Sequence, residues 1–153
     1  MFRTKTNFKN DPEKQWKQTD RIFFGFGACH ILAGVFLEMN PDYKFYGEWI
    51  VPHDGFPGHH MYVTNGIVAF DFHGYSWRKD LLDRYWRSHE GVYPNWNAGI
   101  KKIYFHMLNT EELNARNHRG PDQYFDNPIK RAKKFITNKR IPTRYLEHMC
   151  MKQ

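Results

Sequence analysis

The chain lacks the features that define several common protein classes. Its 153 residues include only two cysteines, Cys29 and Cys150, too few for a disulfide framework. The longest apolar stretch, residues 22–37, is broken by His30 and three glycines. A bilayer-spanning helix needs about 20 apolar residues, so this stretch reads as a buried core segment. The opening Met-Phe-Arg-Thr-Lys-Thr-Asn-Phe-Lys is polar and has none of the apolar centre of a secretory signal, and the expected location is the cytoplasm. No phosphate-cradling P-loop, dinucleotide-binding glycine motif or serine-hydrolase elbow is present, which leaves nucleotide-binding and serine-hydrolase readings without support. His53, Asp54, His59, His60, Asp71 and His73 are zinc-ligand types. They follow neither HExxH nor paired CxxC spacing, and neither metal nor cofactor is expected.

What the chain does have is rings and positive charge. Aromatics make up 18% of the residues, apolar residues 41% and charged residues 25%. With a mean hydropathy of −0.79, this is the composition of a water-soluble globular chain. Its length suits one domain. We divide it into an N-terminal arm (1–20), a core (21–95) and a basic, mainly helical extension (96–153). The net charge of +7 is not spread evenly. Residues 1–99 hold 11 Lys/Arg and 11 Asp/Glu, whereas residues 100–153 hold 12 and 5. A basic last third suits an acidic protein or nucleic acid, and Lys130, Arg131, Lys133, Lys134, Lys139 and Arg140 are the candidate contacts.

Local patterns predict an α+β order. Asp11-Pro12-Glu13 is a helix start. The apolar, glycine-punctuated residues 22–28 approach a turn, and residues 29–39 are apolar nearly all round, as in a helix buried on every side. Asn40-Pro41-Asp42 ends it. Residues 43–51 read as a strand, as do 60–64 and 67–72 around Asn65-Gly66, a strong hairpin signal. Ser76 suits an N-cap for a helix to about His89, with Leu81, Leu82, Tyr85 and Trp86 on one stripe. Residues 100–107 fit helix or strand, a short helix follows Thr110, and a basic helix spans about 128–138.

The hairpin leads to chemistry. If Asn65 and Gly66 form a two-residue loop, Thr64 faces Ile67 and His60 lies directly opposite Asp71. Side chains so paired have Cβ atoms about 5 Å apart on one face. The carboxylate can then accept a hydrogen bond from the imidazole and fix its tautomer, as the orienting half of a catalytic triad does. His59 falls on the other face, so His60 is the preferred base. Cys29 opens the buried helix, and a thiolate at a helix N-terminus is stabilised by the dipole and the unpaired N–H groups there.

Gly27-Ala28-Cys29-His30-Ile31-Leu32-Ala33 is similar to the nucleophile-helix opening of papain-like enzymes. His60-Met61-Tyr62-Val63, the Asn65-Gly66 turn and Ala69-Phe70-Asp71-Phe72-His73-Gly74 resemble the His/Asp hairpin of small papain-fold modules. Such modules occur in bacterial toxins, effectors and mobile-element proteins. The order Cys, His, Asp also resembles NlpC/P60 and transglutaminase-like relatives. The resemblance covers about residues 22–90. It implies a papain-like core in which a nucleophile helix packs on a short antiparallel sheet, followed by C-terminal helices.

It also implies a cysteine hydrolase or acyltransferase of protease, deamidase or amidase type, acting on a protein or peptide. Cys29, His60 and Asp71 would be catalytic, and Gln18, His30, His59 and His73 supporting. Papain-type enzymes carry a Gln a few residues before the Cys. Here that region is Arg21-Ile22-Phe23-Phe24, with Gln15 and Gln18 farther upstream. The alternative is a non-enzymatic basic interaction protein of a phage or mobile element, binding nucleic acid or a host protein through its last third.

Overall fold

The computed structural model describes residues 10–149; Cys150 lies outside them. Two short helices come first, α1 (Pro12–Trp16) and α2 (Asp20–Gly25). Each starts where a side chain takes an otherwise orphaned N–H: Asp11 accepts from Lys14 N and Thr19 from Ile22 N. The apolar approach to Cys29 is thus mostly helical. Gly27, at φ +130, then turns the chain into α3 (Cys29–Met39), a conformation open to glycine because it has no Cβ.

Residues 30–36 of α3 are all buried, as expected from a sequence apolar on every side. The helix ends at Asn40, whose side-chain amide donates to the Phe36 carbonyl.

Five strands form one antiparallel sheet in the order β4-β3-β2-β1-β5: β1 (Tyr46–Pro52), β2 (His60–Thr64), β3 (Val68–Asp71), β4 (Gly74–Trp77) and β5 (Ala98–Lys102). Alternation along the strands divides the core into two layers. Met61, Val63 and Phe70 pack with α3 and with α6 (Pro128–Thr137). In this layer Phe36 stacks on Phe70 with ring centroids 4.7 Å apart. Ile50, Tyr62 and Ala69 face the other way, against Leu81 of α4 (Arg78–Glu90) and Trp96. Two further short helices, α5 (Thr110–Asn114) and α7 (Thr143–Leu146), complete the described chain. None of its helices is long and apolar enough to cross a membrane.

The α+β class stands, and several local expectations are corrected. The sheet has five strands where three were expected. Ser76 does not cap a helix: it lies inside β4, which passes directly into α4 at Trp77. Of residues 100–107, the first three close β5 and the rest lie outside helix and strand. The hairpin register also differs, since Thr64 faces Ala69 and Val63 faces Phe70.

Asn65 is the reason for that register. Its side-chain oxygen accepts from both Ile67 N and Val68 N, at 3.0 and 2.9 Å. Thr64 Oγ1 meanwhile donates to the Val68 carbonyl. These bonds make a loop of residues 65–67 more favourable than the tight two-residue turn. The slip is two residues, and because side chains alternate with period two, His60 and Asp71 remain on one face.

Candidate functional site

His60 is the first residue of β2 and is 2% exposed; Asp71 is the last of β3 and is 4% exposed. They are diagonal neighbours, and the imidazole spans the extra distance: His60 Nε2 lies 3.0 Å from Asp71 Oδ2. The other carboxylate oxygen accepts from the backbone N–H of His73 at 2.9 Å, and His73 Nδ1 lies 3.4 Å away. These bonds hold the carboxylate rigidly in the β3–β4 turn.

Rings lock the imidazole in place. Tyr85 of α4 stacks on it at 5.2 Å with planes 9° apart, and Phe72 meets it edge-on at 5.5 Å. The Tyr85 hydroxyl donates to the Gly58 carbonyl at 2.6 Å, tying α4 to the segment that leads into His60. With Nε2 committed to Asp71, Nδ1 is the nitrogen left to serve the thiol.

Cys29 is the first residue of α3 and is partly buried. Burial raises its pKa. Hydrogen bonding to His30 and His60, with the charges of both imidazoles, outweighs this and holds the thiol well below the ordinary cysteine value. The reciprocal effect falls on His60. Burial disfavours its charged form, but hydrogen bonds to Asp71 and Cys29 and the charges of both push its pKa up to about 9. Burial raises Asp71, and the hydrogen bonds and charges of His60 and His73 hold it far below the usual carboxylate range. The three groups therefore favour a thiolate–imidazolium–carboxylate arrangement.

Cys29 opens onto a cleft of about 820 Å³. His30, 1% exposed, lies behind it and donates from Nε2 to the Arg119 carbonyl at 2.7 Å. Tyr124 donates to the Gly27 carbonyl at 2.6 Å, fixing the turn before the thiol. His59 is exposed, turns toward Trp49 and lines the cleft with His89 and His118. Burial is the largest influence on all three and lowers their pKa values, so they are neutral imidazoles at pH 7. No group of three or more His, Cys, Asp or Glu side chains is placed to hold a metal ion among the described residues.

The supporting residues separate. His30 and His59 are in the cleft and His73 is behind Asp71. Gln18 is not in the site: its amide donates to Lys14 O on the surface. The glutamine in the cleft is Gln15, buried in α1, whose Oε1 accepts from Arg119 Nη1 at 2.8 Å. The sequence shows Gln15 only as lying upstream of Cys29 and Tyr85 only as part of a helix stripe, and gives no signal for Arg119 or Tyr124, because contacts with residues distant in sequence bring each to the site.

Arg131 is also reassigned. It donates to Asp20 Oδ1, Trp16 O and Gln18 O at 2.6–2.7 Å and stacks over Phe23, so it ties the N-terminal helices to α6. Lys130, Lys133, Lys134, Lys139 and Arg140 are exposed.

Comparison with known protein families, with curated proteins and with solved structures finds no match for this chain.

Proposed function

We propose that the chain is a cysteine-dependent hydrolase or acyltransferase of papain-like type. The observation that carries the reading is the chain of contacts from the helix-terminal Cys29 to His60 and from His60 to a buried Asp71 at 3.0 Å. In this mechanism the Cys29 thiolate attacks an amide or thioester carbonyl and a C–S bond forms. The oxyanion is met by the unpaired N–H groups of the first turn of α3. Arg119 holds the oxygen end of the Gln15 amide, leaving its NH₂ as the second donor, the role expected of a glutamine nearer the Cys in papain-type enzymes.

The tetrahedral adduct collapses as protonated His60 gives its proton to the leaving nitrogen or sulfur. Neutral His60 then takes a proton from water, or from an acceptor nucleophile, which attacks the thioester and regenerates the thiolate. Asp71 keeps the imidazole oriented and stabilises its charge.

The test is site-resolved alkylation. Iodoacetamide at pH 6 should modify Cys29 at least about tenfold faster than Cys150, because the thiolate is the nucleophile and an ordinary thiol has a pKa near 8.5. Equal, slow modification would overturn the reading. A Cys29→Ala protein used as bait should then retain the substrate without turning it over.

A further inference from the structure

A second cavity, of about 400 Å³, lies behind the site between α2, α4 and the β3–β4 turn. Leu81, Arg84, Tyr85 and Ser88 of α4 line it, and their spacing i, i+3, i+4, i+7 marks one helix stripe. A stripe facing the interior should be apolar, yet here it carries a guanidinium and a hydroxyl. Arg21 of α2 lines the same cavity, as does His73.

Neither arginine has a carboxylate within ion-pair distance among the described residues. Arg84 Nη2 is buried and finds no hydrogen-bond acceptor, a costly arrangement that calls for an explanation. Asp71, the carboxylate lining this cavity, is committed to His60 and His73. Arg21 and Arg84 thus line a cavity in which no carboxylate of the described residues is paired with either. It shares Phe26, Phe72, Tyr85 and His89 with the Cys29 cleft, so the two adjoin along these four rings.

We infer that this cavity is the subsite for an anionic group, a carboxylate or phosphate, on the substrate whose carbonyl Cys29 attacks. The planar fork of Arg84 suits either oxyanion, and Arg21 supplies a second charge in the lining. The inference rests on the proposed thiolate chemistry and narrows its substrates to acyl compounds that carry negative charge near the scissile bond.

Two measurements test it. In the first, iodoacetamides extended by an alkyl tail ending in a carboxylate, a phosphate or a primary amide alkylate Cys29, and each rate is divided by that of iodoacetamide with the same protein. This ratio cancels changes in the thiol itself. A tail of matching length ending in carboxylate or phosphate should gain about 10- to 100-fold over the amide, the range of a charge-assisted hydrogen bond. Whichever anion gains identifies the source of the charge. The gain should vanish in Arg84→Gln and partly return in Arg84→Lys, with circular dichroism confirming the fold of each. No gain at any tail length, alongside fast iodoacetamide labelling, overturns the subsite and leaves the thiolate reading standing.

The second measurement does not depend on thiol chemistry. The Arg84 Nε–H resonance of the Cys29→Ala protein is followed while the α-amide of N-acetylglutamate, the uncharged α-amide of N-acetylglutamine, or inorganic phosphate is added. A saturable shift with an anion and none with the uncharged N-acetylglutamine amide supports the subsite even if Cys29 proves unreactive. Identical responses to all three refute it.

Discussion

At the scale of single residues, the site turns on which proton sits where. The proposed chemistry needs a Cys29 thiolate and a protonated His60 together. The acid limb of the pH–rate profile follows Cys29, whose pKa is depressed, and the alkaline limb follows His60, raised to about 9. Between the two, the reactive ion pair dominates. Asp71→Asn is nearly isosteric and removes the charge that raises His60. The alkaline limb should then move to lower pH. A less available imidazolium stabilises the thiolate less, so the acid limb should move up. The profile should therefore narrow from both sides, with a maximal rate lower by at least about tenfold. His59→Ala removes a side chain that turns toward Trp49 and lies outside the Cys29–His60–Asp71 contacts, and it should leave both limbs in place. Alkylation and turnover rates from pH 4 to 10 for the three proteins decide the matter; a His59→Ala profile shifted more than that of Asp71→Asn would show that the base is misassigned.

At the scale of elements, charge pattern alone misassigned one member of the basic helix. Arg131 and Lys130, Lys133 and Lys134 look alike in sequence, but α6 turns Arg131 inward onto Trp16 and Phe23 and leaves the lysines outside. Arg131→Ala should cost about 2–4 kcal/mol, because it removes hydrogen bonds to a carboxylate and two carbonyls along with ring contact. The triple Lys→Gln variant at 130, 133 and 134 should change stability by less than about 0.5 kcal/mol. Its effect should appear instead as weaker, less salt-sensitive binding of any anionic partner. Urea midpoints separate the two cases.

The same contrast explains what could be read from sequence. Helix α3 was legible from a run apolar nearly all round and its Asn-Pro stop. The facing of His60 and Asp71 was legible because strand parity survives a two-residue slip. Strand β4 was not, because it enters α4 without a loop and Ser76 resembles a cap. The exact register was hidden in the Asn65 side chain, whose bonds to Ile67 and Val68 compete with the tight turn that Asn-Gly otherwise favours.

At the scale of the whole molecule, the environment of Cys29 is assembled from both ends of the chain. His30 is held by Arg119, Gly27 by Tyr124 and Gln15 by Arg119 again, across 89, 97 and 104 residues of sequence. No local pattern announces such contacts, which is why the back wall of the cleft escaped the sequence. Their consequence is one of time. Contacts between remote segments close late, after the entropy of large loops has been lost. The hairpin and the helices, being local, form earlier. The thiolate therefore dates the end of folding: its ultraviolet absorbance on refolding from urea should rise after the far-ultraviolet helix signal, with a separate and slower rate constant. Superimposable traces would mean that the two ends of the chain dock in the same step that forms the sheet.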